Sequence, residues 1–174
     1  MNQSKTNSIG EELPNLEANI RKALHAVKDP EIPAISVVDL GIIREIKADQ
    51  DGNVTVVMTP TFSGCPAVDA MRKEIEEVVS KFPGVSECRI VVDFNLQWSS
   101  NMITERGLKS LKEFGLSAPR RFEGELTTTV LQDAACPVCG SEKTVMRSAF
   151  GPAACRAIHF CQNCLETFEQ FKPV

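Results

Sequence analysis

The sequence lacks the features that mark a membrane-spanning or exported chain. No apolar run approaches the roughly 20 residues that a helix needs to cross a bilayer, and the first ten residues have no apolar core of the kind found in a secretory signal. We therefore expect a cytoplasmic protein with no membrane association, in a compartment where thiols stay reduced. There the seven cysteines favour metal or thiol chemistry, because an odd number fits a disulfide framework poorly.

The sequence also lacks an excess of positive charge. Its net charge is −4, and acidic and basic residues balance in the C-terminal segment 131–174. A surface that binds nucleic acid through its phosphates needs a basic stripe. We therefore expect no nucleic-acid partner, and a nucleic-acid-binding ribbon is kept only as an alternative.

The strongest signal is a pair of Cys-x-x-Cys motifs near the C-terminus. Cys136 and Cys139 form the first motif, and Cys161 and Cys164 form the second. Two residues between cysteines let the chain turn so that both sulfurs face one ion, and two such turns at the ends of a β-hairpin complete a tetrahedron of thiolates. Gly140 suits the positive φ that such a turn often needs. We predict a structural zinc site with no open position; iron in the same cage and a redox disulfide pair are the alternatives.

The segment between the two motifs predicts the hairpin itself. Its strands fall at residues 144–150 and 154–160, on either side of Gly151-Pro152. Cys155 and His159 lie inside it, and we interpret both as strand residues under or beside the motifs; the alternative is a ligand or a reactive group. So short a ribbon has too few residues for a stable apolar core, and it needs a bound metal to hold its fold. Serine at any one ligand is therefore expected to unfold the ribbon and to leave the preceding domain folded.

The residues before the ribbon predict a small α+β domain. Apolar residues recur at helical spacing from Leu16 and again after Cys65. Strand-like segments at 42–47 and 54–59 flank a turn cluster and predict a hairpin. A strand with the apolar face Cys88 to Leu96 and a helix near 104–114 complete a layered sandwich. We place a disordered N-terminus at residues 1–14, the α+β domain at 15–120 and the ribbon at 121–174.

Cys65 is the candidate reactive residue of the α+β domain. It precedes Pro66, and proline is favoured at the first position of a helix, so we expect Cys65 at the N-cap of the second helix. The unpaired N–H groups and helix dipole there favour the thiolate and lower its pKa. The alternatives are a small buried loop residue and the nucleophile of a thiol-dependent enzyme. No general base is evident for such an enzyme, because the two histidines, His25 and His159, lie in the first helix and in the ribbon.

Four stretches resemble the MIP18 family, also called the DUF59 or metal-sulfur cluster assembly domain. They are Asp29-Pro30-Glu31, SVVDLGII at 36–43, TPTFSGCP at 59–66, and Trp98-Ser99. With the four-cysteine ribbon, including Phe150-Gly151 and residues 168–172, the chain resembles, over residues 16–174, a family of small accessory subunits of bacterial phenylacetyl-CoA epoxidases. The resemblance implies a MIP18-like α/β sandwich followed by a zinc ribbon.

The resemblance implies an accessory role and not a catalytic one. Such proteins aid the maturation of iron or iron–sulfur centres in a multicomponent phenylacetyl-CoA ring-1,2-epoxidase of aerobic phenylacetate catabolism. The implied partners are the oxygenase and reductase subunits, and the implied cofactors are structural zinc and a transient iron ion or iron–sulfur cluster. By position, Cys65 matches the family's iron- or cluster-handling cysteine, and Asp29 and Glu31 match its acidic turn. On their own these two acids are more simply solvated charges in a helix-ending turn. A homodimer is left open.

Overall fold

The computed structural model describes residues 9–121 and 128–173. The helices are α1 (Ile9–Ala23), α2 (Val68–Ser80), α3 (Glu105–Glu113) and α4 (Thr128–Gln132), with short 3₁₀ helices at Leu24–Ala26 and Ser100–Met102. The strands are β1 (Lys28–Asp29), β2 (Ile32–Ser36), β3 (Ile43–Ala48), β4 (Asn53–Met58), β5 (Glu87–Val92), β6 (Leu116–Ser117), β7 (Thr144–Ser148), β8 (Arg156–Cys161) and β9 (Thr167–Phe171). None of the helices in these ranges is long and apolar enough to cross a membrane.

A three-stranded sheet of order β3-β4-β5 forms the centre of the first part of the chain. β3 and β4 are an antiparallel hairpin, whereas β4 and β5 run parallel and are joined through α2. Val54, Val56 and Met58 of β4 are at most 1% exposed, and they share one apolar core with Ile75 and Val79 of α2. The predicted hairpin, second helix and α+β class are confirmed.

The first helix begins earlier than the sequence predicted. α1 starts at Ile9, so residues 9–14 are helical where disorder was expected, and residues 1–8 lie outside the described ranges. Ile9 and Leu13 continue, towards the N-terminus, the apolar spacing that begins at Leu16 in the prediction. The helical pattern therefore extends further than the polar residues around it suggested.

The third strand of the sheet is shorter than the alternating pattern predicted. β5 ends at Val92, which pairs with Met58, the last residue of β4. Beyond that point Asp93 accepts the backbone N–H of Asn95 at 2.8 Å and turns the chain. Phe94 and Leu96 are consequently exposed, and the prediction that the apolar face continues to Leu96 is wrong. The length of the neighbouring strand, and not the pattern within β5, sets the end of the pairing.

The SVVDLGII stretch forms a buried polar network beside the sheet. Asp39 is 6% exposed, and its carboxylate accepts hydrogen bonds from Ser36 Oγ at 2.6 Å, Thr104 Oγ1 at 2.8 Å and Arg106 Nε at 3.0 Å. Gly41 follows with a φ of +76°, and a Cβ there would lie 2.5 Å from the carbonyl oxygen of Met102. This network ties the turn after β2 to the start of α3.

The C-terminal part is a four-stranded sheet of order β6-β9-β8-β7, called the ribbon sheet below. β7 and β8 form the predicted antiparallel hairpin, and β9 pairs antiparallel with β8. β6 pairs parallel with β9 although it lies before residue 121, where the ribbon was predicted to begin. A strand from the first part therefore completes the sheet of the second, and the exact domain limits stay a prediction.

The ribbon sheet also contributes to the main core. Phe171 at the end of β9 is 1% exposed and belongs to the core of the first part. Its ring centroid lies 6.0 Å from that of Trp98 in an edge-on arrangement, and Trp98 Nε1 donates to the carbonyl oxygen of Leu40 at 3.0 Å. Phe171 therefore joins the ribbon sheet to the main core, while a second, smaller cluster of buried residues lies within the ribbon.

Candidate metal centre and cysteine pocket

The four cysteines of the two Cys-x-x-Cys motifs meet at one end of the ribbon sheet. Their sulfurs all lie within 4.8 Å of one another. Cys136 Sγ is 3.7 Å from Cys164 Sγ, and Cys139 Sγ is 3.6 Å from Cys161 Sγ. A tetrahedral ion with metal–sulfur bonds of about 2.3 Å requires sulfurs about 3.8 Å apart. The spacing therefore fits a single ion.

Each motif is a tight turn closed by backbone hydrogen bonds. The N–H of Gly140 donates to the carbonyl oxygen of Cys136 at 2.9 Å, and the N–H of Leu165 donates to that of Cys161 at 3.0 Å. Gly140 has the predicted positive φ, +73°. Leu165 occupies the equivalent place with a φ of +65°, which is the left-handed region that side chains disfavour. The two turns therefore have the same hydrogen-bonding pattern and a positive φ at the same position. That position holds glycine in the first turn and leucine in the second.

The electrostatics of the four thiols favour a bound cation. The backbone N–H of Ser141 is the main cause that lowers the pKa of Cys139 to about 6. At Cys164 the N–H of Glu166 acts in the same direction, but burial and the neighbouring sulfurs outweigh it and raise the pKa to about 12. Four thiolates so close together repel one another, and a cation removes that repulsion. The ribbon cysteines are therefore a metal-binding group.

Cys65 lies in the loop before α2 but not at the position that the sequence predicted. The N-cap is Ala67, two residues later, and the Cys65 carbonyl accepts the N–H of Val68 at 3.4 Å. Burial raises the pKa of the Cys65 thiol above its ordinary value; the N–H groups of Ala67 and Val68 oppose this, while Asp29 and Glu31 reinforce it. The expected lowering of the Cys65 pKa is wrong. Burial and the two carboxylates raise this pKa by more than the backbone N–H groups at the helix start lower it.

Asp29 and Glu31 form a tight turn close to Cys65. Asp29 is 6% exposed, and its Oδ1 accepts the backbone N–H of Glu31 at 2.7 Å and that of Ile32 at 3.3 Å. Burial raises the pKa of the Asp29 carboxyl, and these hydrogen bonds oppose the rise. The carboxylate thus shapes the turn, and Glu31 lines the same small pocket as Cys65.

The ribbon contributes Cys155 to this pocket, which sequence reasoning missed. Cys155 precedes β8 and is not a strand residue under the motifs; it lines the Cys65 pocket together with Glu31. It also lines an adjoining cavity of about 200 Å³ with Trp98 and Phe171. The position of Cys155 depends on how the ribbon packs against the first part, which no local pattern shows.

Neither histidine lies in the pocket of Cys65. His25 Nδ1 is 3.1 Å from Ser36 Oγ, beside the Asp39 network. His159 is fully buried in the ribbon sheet, where its Nε2 is 3.0 Å from Gln170 Oε1 and burial lowers its pKa. Since the chain has two histidines, Cys65 has no histidine base, and the site suits ligand binding better than nucleophilic catalysis.

Two family models match the chain, one on each part. The iron–sulfur cluster assembly protein model matches residues 17–92, and the PaaD zinc beta ribbon domain model matches residues 123–172. A relative from Escherichia coli K12, provisionally named as one of the subunits of 1,2-phenylacetyl-CoA epoxidase, is 32% identical over 86% of this chain and 88% of its own. The chain belongs to the iron–sulfur cluster assembly protein family. The predicted resemblance to the MIP18 or DUF59 family and the four-cysteine ribbon are thereby confirmed.

Other assembly-family proteins match a shorter stretch of this chain. A protein of Porphyromonas gingivalis named Fe-S protein maturation auxiliary factor is 35% identical over 59% of this chain and 97% of its own. The solved structure of a DUF59 domain from Bacillus anthracis is 28% identical, covers 59% of this chain and 96% of its own, and superposes with a TM-score of 0.56. These matches support the assembly-family fold, to which this chain adds the ribbon.

Proposed function

We propose that this chain is a non-catalytic accessory factor that helps partner proteins acquire their iron or iron–sulfur centres. The observation that carries the proposal is the pocket where Cys65 lies beside the acidic turn of Glu31, without a histidine base, on an assembly-family fold. A thiol with neighbouring carboxylates suits iron better than acyl or phosphoryl chemistry. Cys65 would hold the iron or cluster transiently, with Asp29 and Glu31 shaping the site.

The partners we propose are the oxygenase and reductase subunits of a phenylacetyl-CoA epoxidase. The similarity to the Escherichia coli relative over most of both chains supports this assignment. The ribbon would bind structural zinc through Cys136, Cys139, Cys161 and Cys164 and would dock on a partner. The protein would act in the cytoplasm, where its thiols are reduced.

The test is to co-express the epoxidase components with and without this chain and to measure iron and cluster occupancy of each purified subunit. We expect lower occupancy of at least one subunit without the chain, and the same deficit with Cys65→Ser. Cys88→Ser is the matched control, because Cys88 is also half-buried but lies in β5, outside the pocket. Fully metallated but inactive subunits would instead indicate a structural role in the complex.

A further inference from the structure

The Cys65 pocket is built jointly by both parts of the chain. Its walls come from Glu31, Thr61, Phe62 and Cys65 on one side and from Cys155 of the ribbon on the other. Both cysteines are half-buried and also pack against the main core. A thiol that shares a pocket with the proposed iron-handling thiol is a chemical feature that the assembly domain alone does not have.

The position of Cys155 is held by its neighbour Arg156 and by the adjacent strand. Arg156 Nη2 donates to the carbonyl oxygen of Glu31 at 2.6 Å, and Arg156 Nη1 pairs with Glu169 at 2.9 Å. The Arg156 side chain is 12% exposed, so water competes weakly for these contacts. On the other side, the N–H of Lys172 donates to the carbonyl oxygen of Cys155 at 2.8 Å. These contacts fix the turn that carries Cys155 against the acidic turn.

Two thiols beside a carboxylate are suitable ligands for iron, and they leave coordination positions open. Among the described residues, the ribbon cysteines are the one group of three or more candidate ligands whose ligand atoms lie within 4.8 Å of one another, so Glu31 does not complete a preformed cage with the two thiols of the pocket. The pocket is therefore an open, two-thiol site. A carrier needs such a site, because a donor or recipient must supply the remaining ligands during exchange.

We propose that Cys65 and Cys155 together bind one iron(II) ion in this pocket, so that the ribbon supplies half of the thiol ligands of the cargo site. This inference rests on the proposed function and extends it to a second ligand. Each Fe–S bond forms as a thiol releases its proton to solvent, and the iron keeps its oxidation state.

The protonation of both thiols agrees with transient binding. Burial raises the pKa of Cys155 to about 11, and Glu31, Asp29 and Cys65 raise it further while Arg156 opposes them. The pKa of Cys65 is also raised, first by burial. Both groups are therefore thiols at neutral pH, and iron must displace two protons. Binding should strengthen as pH rises.

The test is an anaerobic titration of the full-length, zinc-loaded chain with Fe²⁺, followed by counting iron and zinc in the desalted protein. We expect iron in addition to the ribbon metal, with thiolate-to-iron absorption. Cys155→Ser and Cys65→Ser should each weaken iron binding by more than the roughly tenfold typical of losing a supporting residue. Zinc content should be unchanged, and Cys88→Ser should bind iron like the wild type.

The outcomes separate this inference from the proposed function. If Cys65→Ser loses iron and Cys155→Ser does not, the second ligand is wrong and the proposed function stands. If the wild type binds no iron beyond the ribbon metal, the two-thiol site is wrong, and the co-expression test with Cys65→Ser still decides the function.

A second measurement avoids substitutions and any folding defect that they cause. Phenylarsine oxide condenses with two neighbouring thiols, forming two As–S bonds and one water. Applied to the zinc-loaded wild type, it should give an adduct that peptide mass mapping assigns to Cys65 and Cys155 together. Separate modification of the two, or of neither, would overturn the inference.

Discussion

Two opposing effects act on the pKa of the Cys65 thiol. The backbone N–H groups at the start of α2 favour its thiolate, while burial and two carboxylates favour the protonated form and prevail. The helix start is visible in the sequence as Gly64-Cys65-Pro66, whereas the carboxylates come from a turn more than thirty residues earlier in the chain. The sign of the shift therefore depends on tertiary contacts.

Replacing Glu31 with glutamine should make Cys65 more reactive. Removing a nearby negative charge lowers the thiol pKa, so the thiolate fraction at pH 8 rises and alkylation by iodoacetamide accelerates. Cys88 is the internal control, because burial and then Glu76 raise its pKa to about 11, and Glu31 is not among the causes. An unchanged Cys65 rate in the variant would show that Glu31 does not act on the thiol.

Asp39→Asn should destabilise the fold at neutral pH by about 1–3 kcal/mol, because it weakens the hydrogen bonds of a buried carboxylate. Burial acts to raise the Asp39 pKa, but hydrogen bonds from Ser36, Arg106 and Thr104 leave it below 3.8. Because this pKa is lower in the folded than in the unfolded chain, the ionised group stabilises the fold above pH 3.8, and this contribution is lost as pH falls through the folded value.

Urea unfolding of wild type and Asp39→Asn at pH 7 and near pH 3 measures this effect, and the difference should shrink in acid. Asp69→Asn is the control, since its carboxylate is 94% exposed and its change should be small. Equal destabilisation at both pH values would contradict a role for the carboxylate charge.

At the scale of elements, the metal-binding turns differ in backbone strain. Leu165 is 70% exposed and has a φ of +65°, a conformation that costs a side-chain-bearing residue roughly 1–2 kcal/mol. Glycine removes that cost but loses about 0.5–1 kcal/mol of backbone entropy. Leu165→Gly should therefore stabilise the ribbon by about 0.5–1 kcal/mol.

Competition with a chelator, together with the denaturation midpoint of the zinc-loaded chain, measures this gain. Val138→Gly is a matched control, because Val138 is 68% exposed in the other turn and is not among the residues with positive φ. It should destabilise the ribbon, and a similar loss in Leu165→Gly would mean that the turn is not strained.

Elements that have a pattern in a short stretch of sequence could be predicted. Elements whose position or limits depend on contact with a distant segment of the chain could not. The periodicity of α2, the turn between β3 and β4 and the spacing of the four cysteines are all encoded in short stretches of sequence. β6 has two residues and exists because β9 lies beside it. Likewise, the end of β5 and the place of Cys155 depend on segments far away in the chain. Local patterns cannot encode such contacts.

At the scale of the whole molecule, the packing of Phe171 in the main core changes the expected effect of losing the ribbon metal. The sequence suggested that the ribbon would unfold alone, but β9 carries Phe171 into the core beside Trp98. Phe171→Ala should cost about 3–5 kcal/mol and should lower the unfolding transition of the whole chain. Cys136→Ser should shift the same transition, since the ribbon metal holds β9 in place.

Trp98 is the one tryptophan of the chain, so its fluorescence reports on the core of the first part in both variants. Phe150→Ala is the control, because Phe150 is 75% exposed, and its effect should stay within about 0.5 kcal/mol. A Trp98 transition that does not respond to Phe171→Ala or to Cys136→Ser would show that the two parts unfold independently.

The place of Phe171 in the chain has a consequence for protein synthesis. Domains generally fold in the order in which the ribosome releases them. Here the main core includes Phe171, which follows both cysteine motifs in the chain. A nascent chain that has released only the assembly domain leaves a gap beside Trp98. That gap closes once β9 has been made and Phe171 has packed beside Trp98, so we expect the main core to be completed only after the whole ribbon has left the ribosome.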